Sequence, residues 1–387
     1  MEIVVGIIIG VIVLTLLVVA HELGHALVAR RYGTVVEEFG IGFPPKAWSK
    51  KVKKSFLGDN VEFSINWLPL GGFVKMQGEH DTDTKKGDYG AMTFWQKTQV
   101  LLAGVVVNWV LAGVLISLLA LVGLPKILPN QFYLPQDATI TRQPVELAAI
   151  QKDLPAAKAG LQQGDQILKL SVHEVTTPES LSELAKEYKG QRVPITYKRG
   201  GVEQVATVHL RADNSDKQGY FGASPAQPEL IHATWSAPIV GFGTTAQITW
   251  LTFESLGQLL GNTVSGLVLK LNPASHVQTE ANERLASAGS SVAGPVAIFG
   301  IIFPAAEKAG FSYVLMIAAV ISLTLAVMNI LPIPALDGGR WAVTAIYKVL
   351  KKPLTPETEE KIHGTGFLVL MMLVVVITVL DVGKFGK

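Results

Sequence analysis

His21-Glu22-Leu23-Gly24-His25 is the stretch around which the chain is organised, near the C-terminal end of an apolar segment that starts at Ile3. On an α-helix, positions i and i+4 lie about 40° apart around the axis, so His21 and His25 share one face. Two imidazoles on one face can chelate a divalent metal, usually zinc. Glu22 lies beside them and can take a proton from water and pass it to a leaving amine. Three polar groups inside an apolar span are costly, which favours a functional site over surface histidines.

The composition is that of a membrane protein with a soluble part. The 387 residues are 49% hydrophobic and 17% charged, with a mean hydropathy of +0.36. Soluble domains usually carry about 25% charged residues. A net charge of +2 gives no reason to propose nucleic-acid binding. Because the chain has no cysteine, disulfides and thiolate ligands are excluded, and zinc must be held by histidine and carboxylate.

Four segments are long and apolar enough to predict membrane spans, near residues 3–31, 100–124, 311–331 and 365–380. In the first, the helical pattern continues through His25 to Arg30-Arg31, which favours a span over a cleaved signal peptide. The second contains Asn108, whose side chain could bond either to a neighbouring helix or to its own backbone.

The lysines between Tyr32 and Gln99 place that loop in the cytoplasm by the positive-inside rule, with the N-terminus outside. Residues 231–269 carry one formal charge, Glu254, and could form a further span or an amphipathic surface helix. An extra span would reverse the helix before Asp337 and move this carboxylate away from the histidines. We therefore expect residues 231–269 to lie at the outer surface, above the site.

A second polar motif lies near the C-terminus: Asn329-Ile-Leu-Pro332-Ile-Pro334-Ala-Leu-Asp337-Gly338-Gly339. The two prolines cannot continue a helix, so the chain unwinds there. At membrane depth, unwound backbone must be buried in protein or line a wet cavity. We expect Asp337 to be the third zinc ligand, with an N-cap role as the alternative. Asn329 could hydrogen-bond a substrate backbone or the oxyanion.

Between the second and third spans, residues 126–230 have ordinary soluble composition. The alternating stretches 166–170, 193–197 and 205–210 predict strands. A short helix is expected over 178–188, capped by Thr177. The stretch from Pro155 to Asp165 resembles the turn of a PDZ domain, without a clear Gly-Leu-Gly-Phe loop. Such a domain binds an extended chain by strand addition, and the alternative is a spacer.

In the cytoplasmic loop, residues 61–67 alternate apolar and polar, which is strand periodicity. Residues 69–72 then predict a turn and 73–76 a returning strand. We expect this hairpin to dip toward the zinc and pair with an unwound substrate. The substrate-contacting residues would be Phe63, Ile65, Gly71 and Gly72. The alternative is an ordinary cytoplasmic hairpin.

The His-Glu-x-x-His motif, a single PDZ-like insert and the Asn-x-x-Pro-x-Pro-x-Leu-Asp-Gly-Gly motif together resemble the site-2 protease family, over nearly the whole chain. The bacterial regulator-of-sigma-E protease, which cuts membrane-embedded anti-sigma factors, is the most similar type. By this resemblance, His21, His25 and Asp337 would be zinc ligands and Glu22 the catalytic base. Residues 61–76 resemble the family's membrane-re-entrant β-loop. The chain departs from the family at Gly104, which Val105 follows instead of the frequent proline.

The expected fold is thus a polytopic α-helical membrane protein of about four spans, with an inserted α+β PDZ-like domain and a membrane-associated β-hairpin. Its segments are 1–125, 126–230, 231–310 (an interfacial linker) and 311–387. The expected function is intramembrane zinc proteolysis of single-span proteins, such as an anti-sigma factor or remnant signal peptides. The alternatives are a membrane-anchored protease for soluble chains and a non-catalytic PDZ scaffold. The expected location is the cytoplasmic membrane, with the PDZ-like domain outside.

Overall fold

The computed structural model describes residues 2–216, 218–272, 274–290 and 293–385, and the remaining positions of the four predicted segments lie outside this description. The chain forms two compact units: Met1–Leu119 with Pro238–Lys387, and Ala120–Ala237. The helices are α1 Glu2–Arg31, α2 Phe94–Val122, α3 Pro155–Lys158, α4 Pro178–Glu187, α5 Ala237–Leu269, α6 Ser275–Ser290, α7 Pro295–Ala297, α8 Phe303–Ala309, α9 Phe311–Asn329, α10 Asp337–Val349 and α11 Pro356–Phe385.

Four helices are long and apolar enough to cross a membrane, over Ile3–Arg31, Phe94–Val122, Phe311–Asn329 and Pro356–Gly383. They coincide with the four predicted spans. Two begin earlier than the apolar pattern indicates, because their first turns contain polar or charged residues. At α2, Thr93 and Gln96 exchange hydrogen bonds (Gln96 N to Thr93 Oγ1, 3.3 Å; Thr93 N to Gln96 Oε1, 2.9 Å), which is a capping box. At α11, Pro356 occupies the first helical position.

The segment predicted to remain at the surface, 231–269, is mostly the single 33-residue helix α5. It is not among the four candidate spans. A short π-helical turn, Ile298–Ile302, joins α7 to α8, and this broken helix packs against α1. The glycines of α1 make the approach close: a Cβ on Gly6 would lie 2.5 Å from Pro304, and one on Gly10 would lie 2.6 Å from the Phe303 ring.

Two long strands, β1 (Val36–Ser55) and β2 (Gly58–Met76), form an antiparallel sheet after α1. Residues 38–41 of β1 pair with two stretches of β2, 62–65 and 72–75. Phe39, for example, is opposite both Phe63 and Val74. The predicted strand segments 61–67 and 73–76 are both extended, but each pairs with β1. Alternation identifies a strand and its faces, but it does not identify the partner.

The unit Ala120–Ala237 contains the remaining strands: β3 Leu124–Pro125, β4 Thr139–Arg142, β5 Glu146–Ile150, β6 Gln166–Leu170, β7 His173–Glu174, β8 Arg192–Arg199, β9 Val202–His209, β10 Ala223–Ala226 and β11 Glu229–His232. The main sheet has the order β10-β5-β6-β8-β9, and β3-β11-β4 form a second sheet. The three strand predictions and the helix prediction for this stretch are confirmed. Thr177 caps α4 by accepting from Ser180 N at 3.1 Å.

Candidate metal centre

His21 and His25 lie in the C-terminal half of α1 and are 6% and 5% exposed. The i, i+4 spacing brings their rings into edge contact, with centroids 4.7 Å apart. Their Nε2 atoms are 3.1 Å apart and point to a common place. The prediction that the two imidazoles share one face of the helix is therefore confirmed.

Asp337 is the first residue of α10 and brings its carboxylate to the same place. Its Oδ2 lies 3.0 Å from His21 Nε2 and 3.3 Å from His25 Nε2. The three candidate ligand atoms all lie within 4.8 Å of one another, close enough to hold one metal ion. The structure thus brings together two residues of α1 and one residue that follows about three hundred positions later.

The two glycines after Asp337 allow this approach. Helix α9 ends at Asn329, and the proline-containing segment after it passes closely under the start of α10. A Cβ on Gly338 would lie 2.2 Å from the carbonyl oxygen of Ile330, and one on Gly339 would lie 1.9 Å from that of Ile333. Any side chain at either position would push the Asp337 end of α10 away from the histidines.

Helix α2 supports the histidines from the other side. His25 Nδ1 lies 2.7 Å from the carbonyl oxygen of Val100, so this nitrogen donates and Nε2 is left with its lone pair. A Cβ on Gly104 would lie 2.5 Å from His25 Nε2 and 2.6 Å from His21 Cε1. Gly104 therefore provides the space that the two rings occupy. Asn108 follows one turn later, with its amide nitrogen 3.4 Å from His21 Nδ1, so it contacts a neighbouring helix.

Glu22 is half-buried beside the pair and borders a cavity of about 90 Å³ together with His25 and Asp337. The backbone N–H of Val74, on β2, donates toward the Glu22 carboxylate. Gly72 is also close: a Cβ there would be 3.8 Å from Glu22 Cγ. The final residues of β2 thus lie directly against the candidate base.

The four β2 residues predicted to contact substrate lie in different places. Gly71, with φ of +81°, and Gly72 begin the stretch that passes Glu22. Phe63 and Ile65 lie in the interior of the sheet, where each is paired on both sides (Phe63 with Phe39 and Lys50). Their backbone groups are therefore already engaged. The sheet edge that borders Glu22 is residues 72–76.

Asn329, the last residue of α9, is half-buried. Among the hydrogen bonds of the described residues, none joins its side chain to His21, His25 or Asp337. A contact with substrate thus remains a prediction from the sequence.

Arg340 and Tyr89 also border the cavity, and no motif in the sequence indicates a role for either. The Arg340 guanidinium lies 5.3 Å from the centre of the Tyr89 ring and donates to the carbonyl oxygen of Glu79 at 3.0 Å. Burial raises the pKa of the Tyr89 phenol, which is therefore neutral at physiological pH. Lys97 packs against the same ring and pairs with Asp81. These contacts join the loop after β2 to α2 and α10.

The sequence matches the model of peptidase family M50 over residues 9–373. The chain belongs to this family, the site-2 proteases. A Clostridium perfringens relative, provisionally named a zinc metalloprotease, is 31% identical and is aligned over 97% of this chain and 98% of its own. Zinc metalloprotease RasP of Geobacillus kaustophilus is 25% identical, with 97% of each chain covered. The PDZ domain of an SdrC-like protein from Listeria monocytogenes matches 23% of this chain and 93% of its own, with 24% identity and a TM-score of 0.21.

This M50 peptidase is accordingly a zinc metalloprotease and a multi-pass membrane protein. The donor set fits zinc, because two imidazole nitrogens and one carboxylate oxygen, with a fourth position for water, are typical of catalytic zinc. The hydrogen bond from His25 Nδ1 to a backbone carbonyl also fits, since it leaves Nε2 free to bind a metal.

Proposed function

We propose that the protein is an intramembrane protease that cuts peptide bonds within the transmembrane segments of single-span membrane proteins. An anti-sigma factor or a remnant signal peptide would be such a substrate. The observation that carries this proposal is the position of the three candidate ligands. They lie on and beside apolar helices that can cross a membrane, with a strand edge against Glu22.

In this proposal His21, His25 and Asp337 hold the zinc, and Glu22 is the general base. Bound zinc supplies Lewis acidity, which polarises the scissile carbonyl and makes water a better nucleophile at neutral pH. Glu22 accepts the proton of the attacking water on its carboxylate and then protonates the leaving amine. The Val74 N–H orients the carboxylate for both transfers.

A peptide bond inside a helix is shielded by its own hydrogen bonds, so the substrate has to unwind near Glu22. In a bilayer each unsatisfied backbone group costs several kcal/mol, and a strand edge offers replacement partners. Residues 72–76 of β2 are paired with β1 on one side, while their other side faces Glu22. The Val74 N–H donates to Glu22 and the Met76 N–H donates to Glu79. We infer that the substrate adds to the sheet along this edge through its remaining backbone groups. Gly71 and Gly72 have no side chains that would block the substrate at this edge. Asn329 would hydrogen-bond the substrate backbone.

The 126–230 segment would lie on the outer side of the cytoplasmic membrane. The metal centre would lie toward the cytoplasmic side of that membrane. This PDZ-like domain and the 231–269 segment would exclude membrane proteins with large outer domains. In the Ala120–Ala237 unit, β10 is an edge strand that packs against α4. A peptide in extended form would bind there by strand addition.

The main test is cleavage-site mapping by mass spectrometry, with the enzyme and a single-span substrate reconstituted in liposomes. Cleavage within the apolar segment supports the proposal. Cleavage confined to soluble peptides would instead identify a membrane-anchored protease of water-soluble chains. A protein that binds peptides but cuts neither substrate would be a scaffold.

Strand addition can be tested by disulfide cross-linking, since the chain has no cysteine of its own. A Glu22→Gln enzyme carrying Lys75→Cys would be combined with substrates that carry one cysteine at successive positions. We expect cross-links at alternate substrate positions, because successive side chains of a strand point to opposite faces. Ile65→Cys, inside the sheet, is the matched control and should give few cross-links. A period of three to four positions would show that the substrate stays helical.

Orientation can be tested with the same cysteine-free background. A cysteine placed at Lys189 should react with an impermeant thiol reagent added to intact spheroplasts. One placed at Lys53 should react only after the membrane is opened. The opposite pattern would contradict the proposed orientation.

A further inference from the structure

Asn108 on α2 is fully buried, and its contacts are incomplete. Its amide nitrogen lies 3.4 Å from His21 Nδ1. Its amide oxygen has no hydrogen-bond partner among the described residues. The backbone carbonyl of Asn108 accepts from the Ser322 hydroxyl of α9 at 2.9 Å, which fixes α2 at this level. The choice of which end of this buried amide faces the candidate metal ligand His21 therefore needs an explanation.

The tautomer of His21 explains which end of the Asn108 amide faces it. A neutral imidazole that binds a metal through Nε2 carries its proton on Nδ1, and that N–H needs an acceptor. For His25 the acceptor is the Val100 carbonyl. For His21 the group in this position is the Asn108 amide. An amide nitrogen cannot accept a proton, but a half-turn of the amide exchanges its nitrogen and oxygen, which have nearly the same shape.

We propose that Asn108 is a positioning residue for His21, with its amide oxygen accepting the Nδ1–H while Nε2 binds zinc. The inference rests on the proposed ligation by His21, His25 and Asp337. Helix α2 then supports both histidines in the same way: Val100 holds His25 by a backbone oxygen, and Asn108 holds His21 by a side-chain oxygen. Gly104, between them in the sequence, leaves the space for the rings.

The test is zinc affinity, measured by chelator competition on the purified full chain in detergent. Outer partners of metal-binding histidines typically contribute 10–100-fold to metal affinity. Asn108→Leu keeps the size but removes the acceptor, so zinc should bind about 10–100-fold more weakly. Asn108→Asp restores an acceptor oxygen, so its zinc affinity should lie within about threefold of that of the parent. Asn262→Leu makes the same chemical change on α5 and should leave the affinity unaltered.

Thermal unfolding of the zinc-free proteins separates misfolding from a local effect, because Asn108→Leu should then unfold like Asn262→Leu. Equal zinc affinity in Asn108→Leu and the parent would overturn the inference, and so would an Asn108→Asp variant as weak as Asn108→Leu. Failure of the proposed function would look different. The parent itself would then bind no zinc, or His21→Ala and Asp337→Ala would bind it as well as the parent does.

Discussion

Two aspartates, one in each unit of the chain, show two ways of placing a carboxylate away from most solvent: the Asp165 side chain is 1% exposed and the Asp337 side chain is 20% exposed. Asp165, in the Ala120–Ala237 unit, accepts from Arg199 Nε at 2.7 Å and Nη2 at 2.6 Å. The backbone N–H of Gln162 donates to it as well, at 2.7 Å. Asp337 in the other unit is surrounded differently. Among the described residues, its ion-pair partners are only His21 and His25.

The difference separates a structural carboxylate from a ligand. At Asp165 the chain supplies the counter-charge itself, because Arg199 donates to both carboxylate oxygens and no metal ion is needed to balance the charge. At Asp337 the two imidazole nitrogens and the carboxylate oxygen all point at one place, and three acceptors that converge need a cation between them. Burial of a carboxylate is therefore a poor marker of function by itself, and the chemistry of its partners decides.

The largest expected effect follows from exchanging each aspartate for asparagine. Asp337→Asn weakens a zinc ligand, so zinc content and proteolysis should both fall, the latter by more than about 10²-fold. Asp165→Asn should leave zinc content unaltered and lower the free energy of unfolding of its unit by about 1.5–3 kcal/mol, because a hydrogen-bonded charge pair is lost. Metal analysis and thermal unfolding measure the two outcomes. Normal zinc and activity in Asp337→Asn would refute the ligand assignment.

A second substitution removes the base but keeps the metal. Glu22→Gln has the same shape, and turnover should fall by at least about 10²-fold while zinc stays bound. Glu62→Gln, on the far part of the sheet, is the matched control and should retain turnover. Retained proteolysis in Glu22→Gln would mean that another group accepts the proton.

The metal centre could be predicted from the sequence because its chemistry is local and its residue types are few. Two histidines four positions apart share a face on any helix, and an aspartate after two prolines marks the end of another. The topology argument then required both motifs to lie toward the same membrane surface. For Asn108 the sequence allows a bond either to a neighbouring helix or to its own backbone, and the structure shows contact with the neighbouring helix.

What could not be predicted depends on close approach between distant parts of the chain. Gly104 is noticeable in the sequence only because Val105 replaces the frequent proline after it, and its role follows from the distance between its missing Cβ and the two rings. Arg340 follows Asp337 by three residues, but its contact with Tyr89 depends on the loop after β2. The pairing of residues 62–65 and 72–75 with one stretch of β1 also has no local signal. Such contacts are set by tertiary packing rather than by periodicity.

The third prediction tests this close approach. Gly104→Ala places a methyl group 2.5 Å from His25 Nε2, so either α2 or the imidazoles must move. Overpacking of this kind costs about 1–3 kcal/mol, and zinc affinity should fall by about tenfold or more. Gly257→Ala on α5 meets no atom within 4 Å and should have no effect. Chelator competition on both variants gives the comparison, and equal affinities would show that the rings adjust freely.

The smallest expected effect concerns a third aspartate, Asp137, which is partly exposed and is hydrogen-bonded to residues 234–236 at the end of its unit. Its carboxylate accepts from Ser236 Oγ at 2.6 Å and from the backbone N–H groups of Thr234 at 2.8 Å and Ser236 at 3.0 Å. The hydrogen bonds from the Ser236 and Thr234 side chains, with those from the backbone, hold its pKa well below the usual range.

A lowered pKa in the folded state means that the stabilisation by Asp137 is fully present above the unfolded pKa of about 4, and is lost as the pH falls toward the folded value. Asp137→Asn should therefore increase amide hydrogen exchange of residues 234–236 at pH 7. The difference from the parent should shrink below about pH 4, after correction for intrinsic exchange rates. Asp153→Asn, an exposed aspartate of the same unit, should show no such difference. A gap between Asp137→Asn and the parent that stays constant from pH 7 to pH 3 would mean that the carboxylate charge does not stabilise this segment.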